Sequence, residues 1–457
     1  MARTMPGSRW ATSLFAWLGM VLSAPAQSPS VPNTLFPYST VEMSPDTSEE
    51  SQPPEVGTPG TTRTVPAPIL VPQPSAGPPP AQPLPVSQAV SPAERWPLMR
   101  ALQGTWMGVG LEDERMQIYG WTQGSFTAST DRSLNLPIGF NYKANQFLLQ
   151  QNWLRIDRPV VASGTRQPSF GFRSDWILPG SDYFFTLPRG IFNGQLTANN
   201  GQPNLYGIDP VQFYAEAYFP TIAKGFDVKV GRFFSLYGVE LISTVDNPFI
   251  SHSYTFMYDP FTQTGIVTTT KLSDAVSVQA GLVLGNDNFI SITDNPTFIG
   301  NIKWVSPDQR NSLHFSIIAD RGRFDQQQNF HDPEVFDLVA THKISSSLVY
   351  TFNGLYGFTN NVPNIGAANW LGIVNYLTYN VTEQFNTAGR LEFFDDFQGQ
   401  RTGFAGLYIA PAVVAAYRPV KWLQFRQEIR YDDNTQSAPF EGKHGLFTAT
   451  SDCVIRW

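Results

Sequence analysis

The sequence predicts an all-β protein, a closed antiparallel transmembrane β-barrel of about sixteen strands, with about 14 to 18 as the range. Three observations predict it. Segments of about ten residues with alternating polarity recur from roughly residue 116 to the end, their connections alternate between short and long, and aromatic residues gather beside the short connections.

The run Phe447 to Trp457 shows the alternation most plainly. Phe447, Ala449, Ser451, Cys453, Ile455 and Trp457 share one face, and Thr448, Thr450, Asp452 and Arg456 share the other, because strand side chains alternate with period two. One face suits lipid and the other water.

The elements are taken in chain order. Residues 1–26 read as a signal peptide: Arg3 and Arg9 are the basic start, Trp10 to Leu22 the apolar stretch, and Ala24-Pro25-Ala26 the cleavage site. Residues 27–92 hold nearly half of the chain's prolines, as in Pro78-Pro79-Pro80, and almost nothing to build a core from. They read as a disordered periplasmic tether, either a passive spacer or a ligand for a proline-binding partner. Residues 93–115 are a short helical or irregular pre-barrel segment, placed at the periplasmic mouth, and 116–457 are the barrel.

The sixteen candidate strands are 116–128, 147–157, 169–177, 211–219, 226–234, 264–272, 276–285, 297–305, 312–320, 335–344, 347–358, 370–379, 385–394, 404–417, 422–432 and 445–457. Short connections such as Ser273-Asp274-Ala275 and Arg418-Pro419-Val420-Lys421 alternate with long ones, of which 178–210 and 235–263 are the longest. Outer-membrane barrels have short periplasmic turns and long extracellular loops in this alternation. Phe219, Trp304, Tyr417, Trp422 and Trp457 lie beside short turns or the C-terminus, at one height, as an aromatic girdle.

Composition excludes several function classes. The chain is 14% aromatic and only 15% charged, and its net charge of -7 offers no basic surface for nucleic acid. With one cysteine, Cys453, it has neither a disulfide framework nor a thiolate metal site. The five histidines, His252, His314, His331, His342 and His444, are scattered, and there is no G-x-S-x-G turn or HExxH. The chain therefore reads as a non-enzyme that needs no cofactor and no metal. Asn286-Asp287-Asn288 and Asp395-Asp396 read as turn formers rather than calcium ligands.

Alternation assigns the lumen face. Apolar neighbours outward place Arg173, Asp175, Glu216, Asp227, Lys229, Lys303, Asp320, Arg390, Glu392, Arg426, Glu428, Arg430, Asp452 and Arg456 inward as the candidate pore lining. A charge on the lipid face costs about 2 to 4 kcal/mol at mid-bilayer, so the placement is a constraint. Each of these residues has a plain reading as a cross-strand ion pair that stiffens the wall, and together they make the lumen wet. A long loop folded inward is expected to form the constriction, from 178–210 or 235–263. Tyr254, Phe256, Tyr258 and Phe261 are its aromatic residues, serving either to pack it on the wall or to stack on sugars.

Certain stretches resemble a known family. Asn204 to Tyr214, Val230-Gly231-Arg232-Phe233, Tyr258-Asp259-Pro260-Phe261-Thr262-Gln263-Thr264-Gly265, Gly285-Asn286-Asp287 and Gly399-Gln400-Arg401-Thr402-Gly403 are similar to the putative beta-barrel porin-2, OmpL-like, family. The resemblance runs from about Tyr119 to Trp457 and implies a porin-like channel of the outer membrane, with no solute named. Arg232 breaks the strict alternation, and a β-bulge near Gly231 would return it to the lumen.

The expected function is passive diffusion of ions and small hydrophilic solutes through the outer membrane. The other reading is a structural or adhesive barrel whose lumen is plugged. Expected partners are outer-membrane lipid, the solutes themselves, and the barrel-insertion machinery, which would engage the C-terminal strand ending at Trp457. Porins often form homotrimers, and the sequence leaves that open.

Overall fold

The computed structural model describes residues 95–162, 166–187, 192–289, 296–319, 323–325 and 330–457. The signal peptide, the proline-rich tether and Asp320 lie outside the described residues. Among the described residues no helix is long and apolar enough to cross a membrane, which says nothing of strands.

Alternating sequence becomes strand throughout. The strands are β1 (Gln117–Ser129), β2 (Gln146–Arg158), β3 (Ser169–Gly180), β4 (Gly207–Phe219), β5 (Phe226–Phe234), β6 (Thr262–Lys271), β7 (Val276–Asn286), β8 (Thr297–Val305) and β9 (Asn311–Ala319). After a short hairpin, β10 (Arg323–Asp325) and β11 (Phe330–Asp332), come β12 (Glu334–Lys343), β13 (Leu348–Val362), β14 (Gly366–Asn380), β15 (Phe385–Asp396), β16 (Gly406–Val420), β17 (Leu423–Asn434) and β18 (Gly445–Arg456). Sixteen of them form the wall, each antiparallel to the next, with β9 pairing directly to β12.

The ladder closes on itself. β1 pairs with β18 from Trp121 opposite Arg456 to Ser129 opposite Thr448, so every strand has two neighbours and the wall has no free edge.

The two faces differ as an apolar solvent outside demands. In β17, Phe425, Ile429 and Tyr431 are exposed, while Gln424, Arg426, Glu428, Arg430 and Asp432 between them are buried. Phe147, Phe170, Leu282 and Ile302 continue the exposed outer face on other strands. Trp304, Tyr417 and Trp422 are exposed beside short turns, Phe219 is half-buried against Phe226, and Trp457 is half-buried with its indole donating to Thr122 Oγ1 at 3.2 Å.

Departures from strict alternation have local causes. β4 starts at Gly207, four residues before the alternating run suggested, and Val211, expected to face out, is fully enclosed. Asp175 pairs with Gln212 and Ile177 with Asp209, so Pro210 and Val211 stand opposite the single residue Trp176. That is a bulge, placed where proline has no N–H to give the ladder. β16 runs on through Arg418 and Pro419, expected as a turn, and its register slips there before Val420 pairs with Leu423.

Arg232 is settled differently from expectation. The ladders through Gly231 are unbroken on both sides, so no bulge lies there. Gly231 instead takes φ +136°, which a side chain would strain, and its Cβ would meet the Phe213 carbonyl oxygen at 2.2 Å. Arg232 is fully enclosed, paired with Asp209 at 2.6 Å beside the β4 bulge.

Before the barrel, helices span Pro97–Leu102 and Trp106–Asp113. Thr105 caps the second, accepting from Gly108 N at 3.1 Å.

Candidate functional site

A chain that folds into a barrel brings backbone N–H and C=O groups into a space where each needs a partner. Residues 235–261, between β5 and β6, do this. They contain a 3-10 turn at Thr244–Asp246 and one helical turn at Tyr254–Met257, capped by Ser253, whose Oγ accepts from Phe256 N at 3.1 Å.

The wall's charged stripe receives this segment group by group. Glu428 accepts from Ile250 N at 2.6 Å and Ser251 N at 3.1 Å, and Glu392 accepts from Tyr254 N at 2.8 Å and Thr255 N at 2.7 Å. Carboxylates meet amides. Arg426 donates to three carbonyls, Thr244 O at 3.2 Å, Asn247 O at 2.9 Å and Phe249 O at 3.0 Å, while gripping Asp452 at 2.5 Å. Arg390 donates to Ser251 O at 2.9 Å, and Arg430, paired with Asp432 at 2.7 Å, donates to His252 O. Charge-assisted bonds of this kind are about twice as strong as neutral ones.

Glu240 ties the segment to itself and to the wall. It meets Arg390 Nη1 at 3.0 Å, His252 Nδ1 at 2.8 Å and the Tyr376 hydroxyl at 2.9 Å. Burial alone would push its carboxyl up, but Arg390, His252 and Tyr376 together hold it at about 2. Burial depresses His252 below its ordinary value against the opposing pull of Glu240, so its ring is neutral near pH 7.

The aromatic residues of the segment pack rather than line open space. Tyr254 lies 4.7 Å from Tyr408 and 5.9 Å from Phe394, and Tyr258 lies 5.8 Å from Phe394. Phe256 stacks on His252 at 4.4 Å and touches Phe261 at 4.9 Å. Tyr254, Tyr258 and Phe261 are buried and Phe256 is half-buried. Residues 181–187 of the other long connection also turn inward, Phe185 stacking on Phe140 at 5.1 Å.

The candidate lining residues thus fall into two groups. Arg390, Glu392, Arg426, Glu428, Arg430 and Asp452 are on the inner face but covered by the segment, so they do not border open space. Asp175 is likewise enclosed, paired with Arg155 at 2.6 Å, and Arg173 pairs with Asp157 at 3.2 Å. Lys229 pairs with Glu216 at 3.4 Å, with its ammonium 4.9 Å from the Tyr214 ring. On the opposite side Lys303 stands across from His314, both half-buried, near the half-buried Asp227, Thr269 and Gln279. Arg456 is half-buried at the short-turn end.

Alternation missed the residues that complete this arrangement. Glu240 and His252 lie in a segment with no period to read, and Arg418 looked like a turn residue. The parity of Tyr408, Ala410, Ala412, Val414 and Ala416, all buried, would have placed Arg418 inside. Asp287 accepts from Phe261 N and Thr262 N, and Asp396 from Arg401 N and Thr402 N, so both acidic turns bond backbone.

Residues 115–456, the barrel just described, match the putative beta-barrel porin-2, OmpL-like, family. The chain belongs to that family. A sequence search of curated proteins returned no match. Among solved structures the porin-family barrel is similar to the outer membrane channel DcaP of Acinetobacter baumannii, at 12% identity and TM-score 0.48, covering 75% of this chain and 97% of that one. It is similar to an anion-selective porin from Comamonas acidovorans at 9% identity and TM-score 0.47, covering 75% and 99%. For outer-membrane expressed OmpT of Vibrio cholerae the values are 9% and 0.49, covering 75% and 97%.

The seat of the segment in this porin-family barrel can be tested at one glycine. Gly372 lies under the helical turn, and a Cβ there would stand 2.2 Å from Thr255 Oγ1. Gly372→Val is expected to lift Thr255 off Glu392 without touching the ladder. Single-channel steps should grow larger and noisier while circular dichroism keeps the wild-type β signal; unchanged steps would show that the turn is not seated there in the membrane.

Proposed function

We propose that this chain is an outer-membrane channel through which ions and small hydrophilic solutes diffuse passively, narrowed by residues 235–261. The observation that carries the reading is a closed wall, apolar outside, whose inner charged stripe holds a chain segment across the lumen, while on the far side the same segment meets the wall through Leu236 and Gly238. The half-buried polar residues of β6 to β9, among them Thr269, Gln279, Lys303 and His314, line the route that remains. A sixteen-stranded barrel is wide enough for such a route, where eight strands are filled by side chains.

Finer points belong to the same proposal. The short turns face the periplasm, together with residues 27–92 as a tether, and the C-terminal strand ending at Trp457 is the signal for barrel insertion. The outer apolar face is covered by lipid and, in a homotrimer, by neighbouring copies. The chain acts without catalysing a reaction.

A plugged structural barrel is the second reading. It draws on two apolar clusters that join the segment to the wall, Leu236 against Val267, Val283 and Ile299, and Phe249 against Val374 and Tyr376. Purified full-length protein in planar bilayers separates the two. Stepwise ohmic openings are expected; a folded but silent barrel would favour the plug.

A further inference from the structure

At the short-turn end of the lumen lies a cavity of about 130 Å³, bounded by Trp96, Tyr119, Trp121, Arg155, Asp246 and Arg456, with Gly120 and Val245 completing it. Its volume is close to the roughly 150 Å³ of an engineered protein cavity that takes up benzene, so one ring fits. Three indole or phenol rings line it.

Arg456 at this cavity differs from six other arginines on the inner wall. Arg155, Arg173, Arg232, Arg390, Arg426 and Arg430 each pair with a carboxylate. Among the described residues Arg456 has no such partner: it donates from Nη2 to Val245 O at 2.9 Å, and its guanidinium lies 5.0 Å from the centre of the Trp96 ring. Arg418 stands in the same field, interacting electrostatically with Arg456, Arg426 and Asp246, and its buried Nε has no hydrogen-bond partner. Among the described residues Asp246 is the carboxylate that acts on both cations; it is exposed and accepts from Ser243 Oγ at 2.5 Å. Arg418 does not itself line the cavity, but with it two cations stand against one free carboxylate, which leaves the surroundings a single positive charge.

We propose that this cavity is a subsite for a small monoanionic solute, a carboxylate carried on one ring, with the carboxylate on Arg456 and the ring against Trp96 and Tyr119. The proposal rests on the channel reading for how the solute arrives. A guanidinium presents two parallel N–H groups that match a carboxylate, and a ring against indole gains stacking beyond its buried area. Asp246 offsets one of the two cations, so a second negative charge on the ligand would find nothing to meet it.

Full-length protein folded in detergent tests this without any transport step. Benzoate is the probe, read by calorimetry and by quenching of tryptophan fluorescence, with benzyl alcohol and acetate as partial probes. Saturable benzoate binding is expected, with the neutral alcohol and the ringless acetate each weaker by on the order of tenfold. Arg456→Gln should weaken benzoate by a similar factor, on the order of tenfold, and bring it to the level of benzyl alcohol. Trp96→Ala, outside the wall and so safe for folding, should bring benzoate to the level of acetate. Lys224→Ala, on an exposed turn, should bind as wild type. Benzoate and benzyl alcohol binding alike, full benzoate affinity in Trp96→Ala, or no saturable binding would each overturn the subsite. A silent bilayer with benzoate binding intact would overturn only the channel reading, and ohmic steps without binding only this one.

Discussion

Arg426→Ala is expected to destabilise the barrel more than any other single substitution in the lumen. The change leaves Asp452 buried without its cation, strips the Asn247 and Phe249 carbonyls of their arginine donor, and leaves Thr244 O only its bond from Asn247 N at 3.3 Å. Breaking a buried ion pair from one side costs about 3 to 5 kcal/mol, because the remaining charge stays buried and uncompensated. Both effects point the same way. Heat-induced loss of the folded band on electrophoresis should occur at a clearly lower temperature, and the surviving channels should conduct in larger, noisier steps as residues 244–249 come free. Arg426→Lys keeps charge but not the planar fork, so it should recover only part of the loss. An unchanged unfolding temperature would show that the segment is held from elsewhere.

Acid should loosen the same segment. Glu240 is held at about 2 by Arg390, His252 and Tyr376, well below the 4.5 of an ordinary glutamate. Its contribution is fully present above 4.5 and is lost as pH falls from there toward 2. His252 is also depressed, by burial, so its contribution is present above 6.5 and declines as pH drops below that value. The two signs agree. Channel steps are expected to be steady near pH 7 and to become noisier and larger as pH falls below about 4. Glu240→Gln removes the ion pair with Arg390 and should give noisy steps already at pH 7. Identical traces from pH 7 to pH 3 would show that this contact does not hold the segment.

Most of the wall was legible because a lipid-facing strand has few freedoms. Period-two polarity fixed which residues of β17 and β18 share a face, and the lengths of the connections fixed their alternation between two ends. Pro210 was the visible hint of the β4 bulge, yet a lone proline does not say which way the register slips. The inner charges were legible as a set, but not their partners. Glu392 and Glu428 look in sequence like pore lining or cross-strand pairs; in the structure they accept amides from a segment more than a hundred residues away. No local pattern encodes that, since residues 235–261 have neither helical nor strand period and their shape is set by what the wall offers them.

The pairing of β1 with β18 sets the order of events in assembly. The strand next to the N-terminal side of the wall waits for the final twelve or so residues of the chain, across a separation of more than three hundred positions. Long-range pairings of this kind form slowly, and until they form both partners display bare amides to any other chain. A polypeptide interrupted shortly before Gly445 would therefore keep two sticky ends and no seam to join them. The β1–β18 seam is therefore the one ladder on which closure of the whole wall depends.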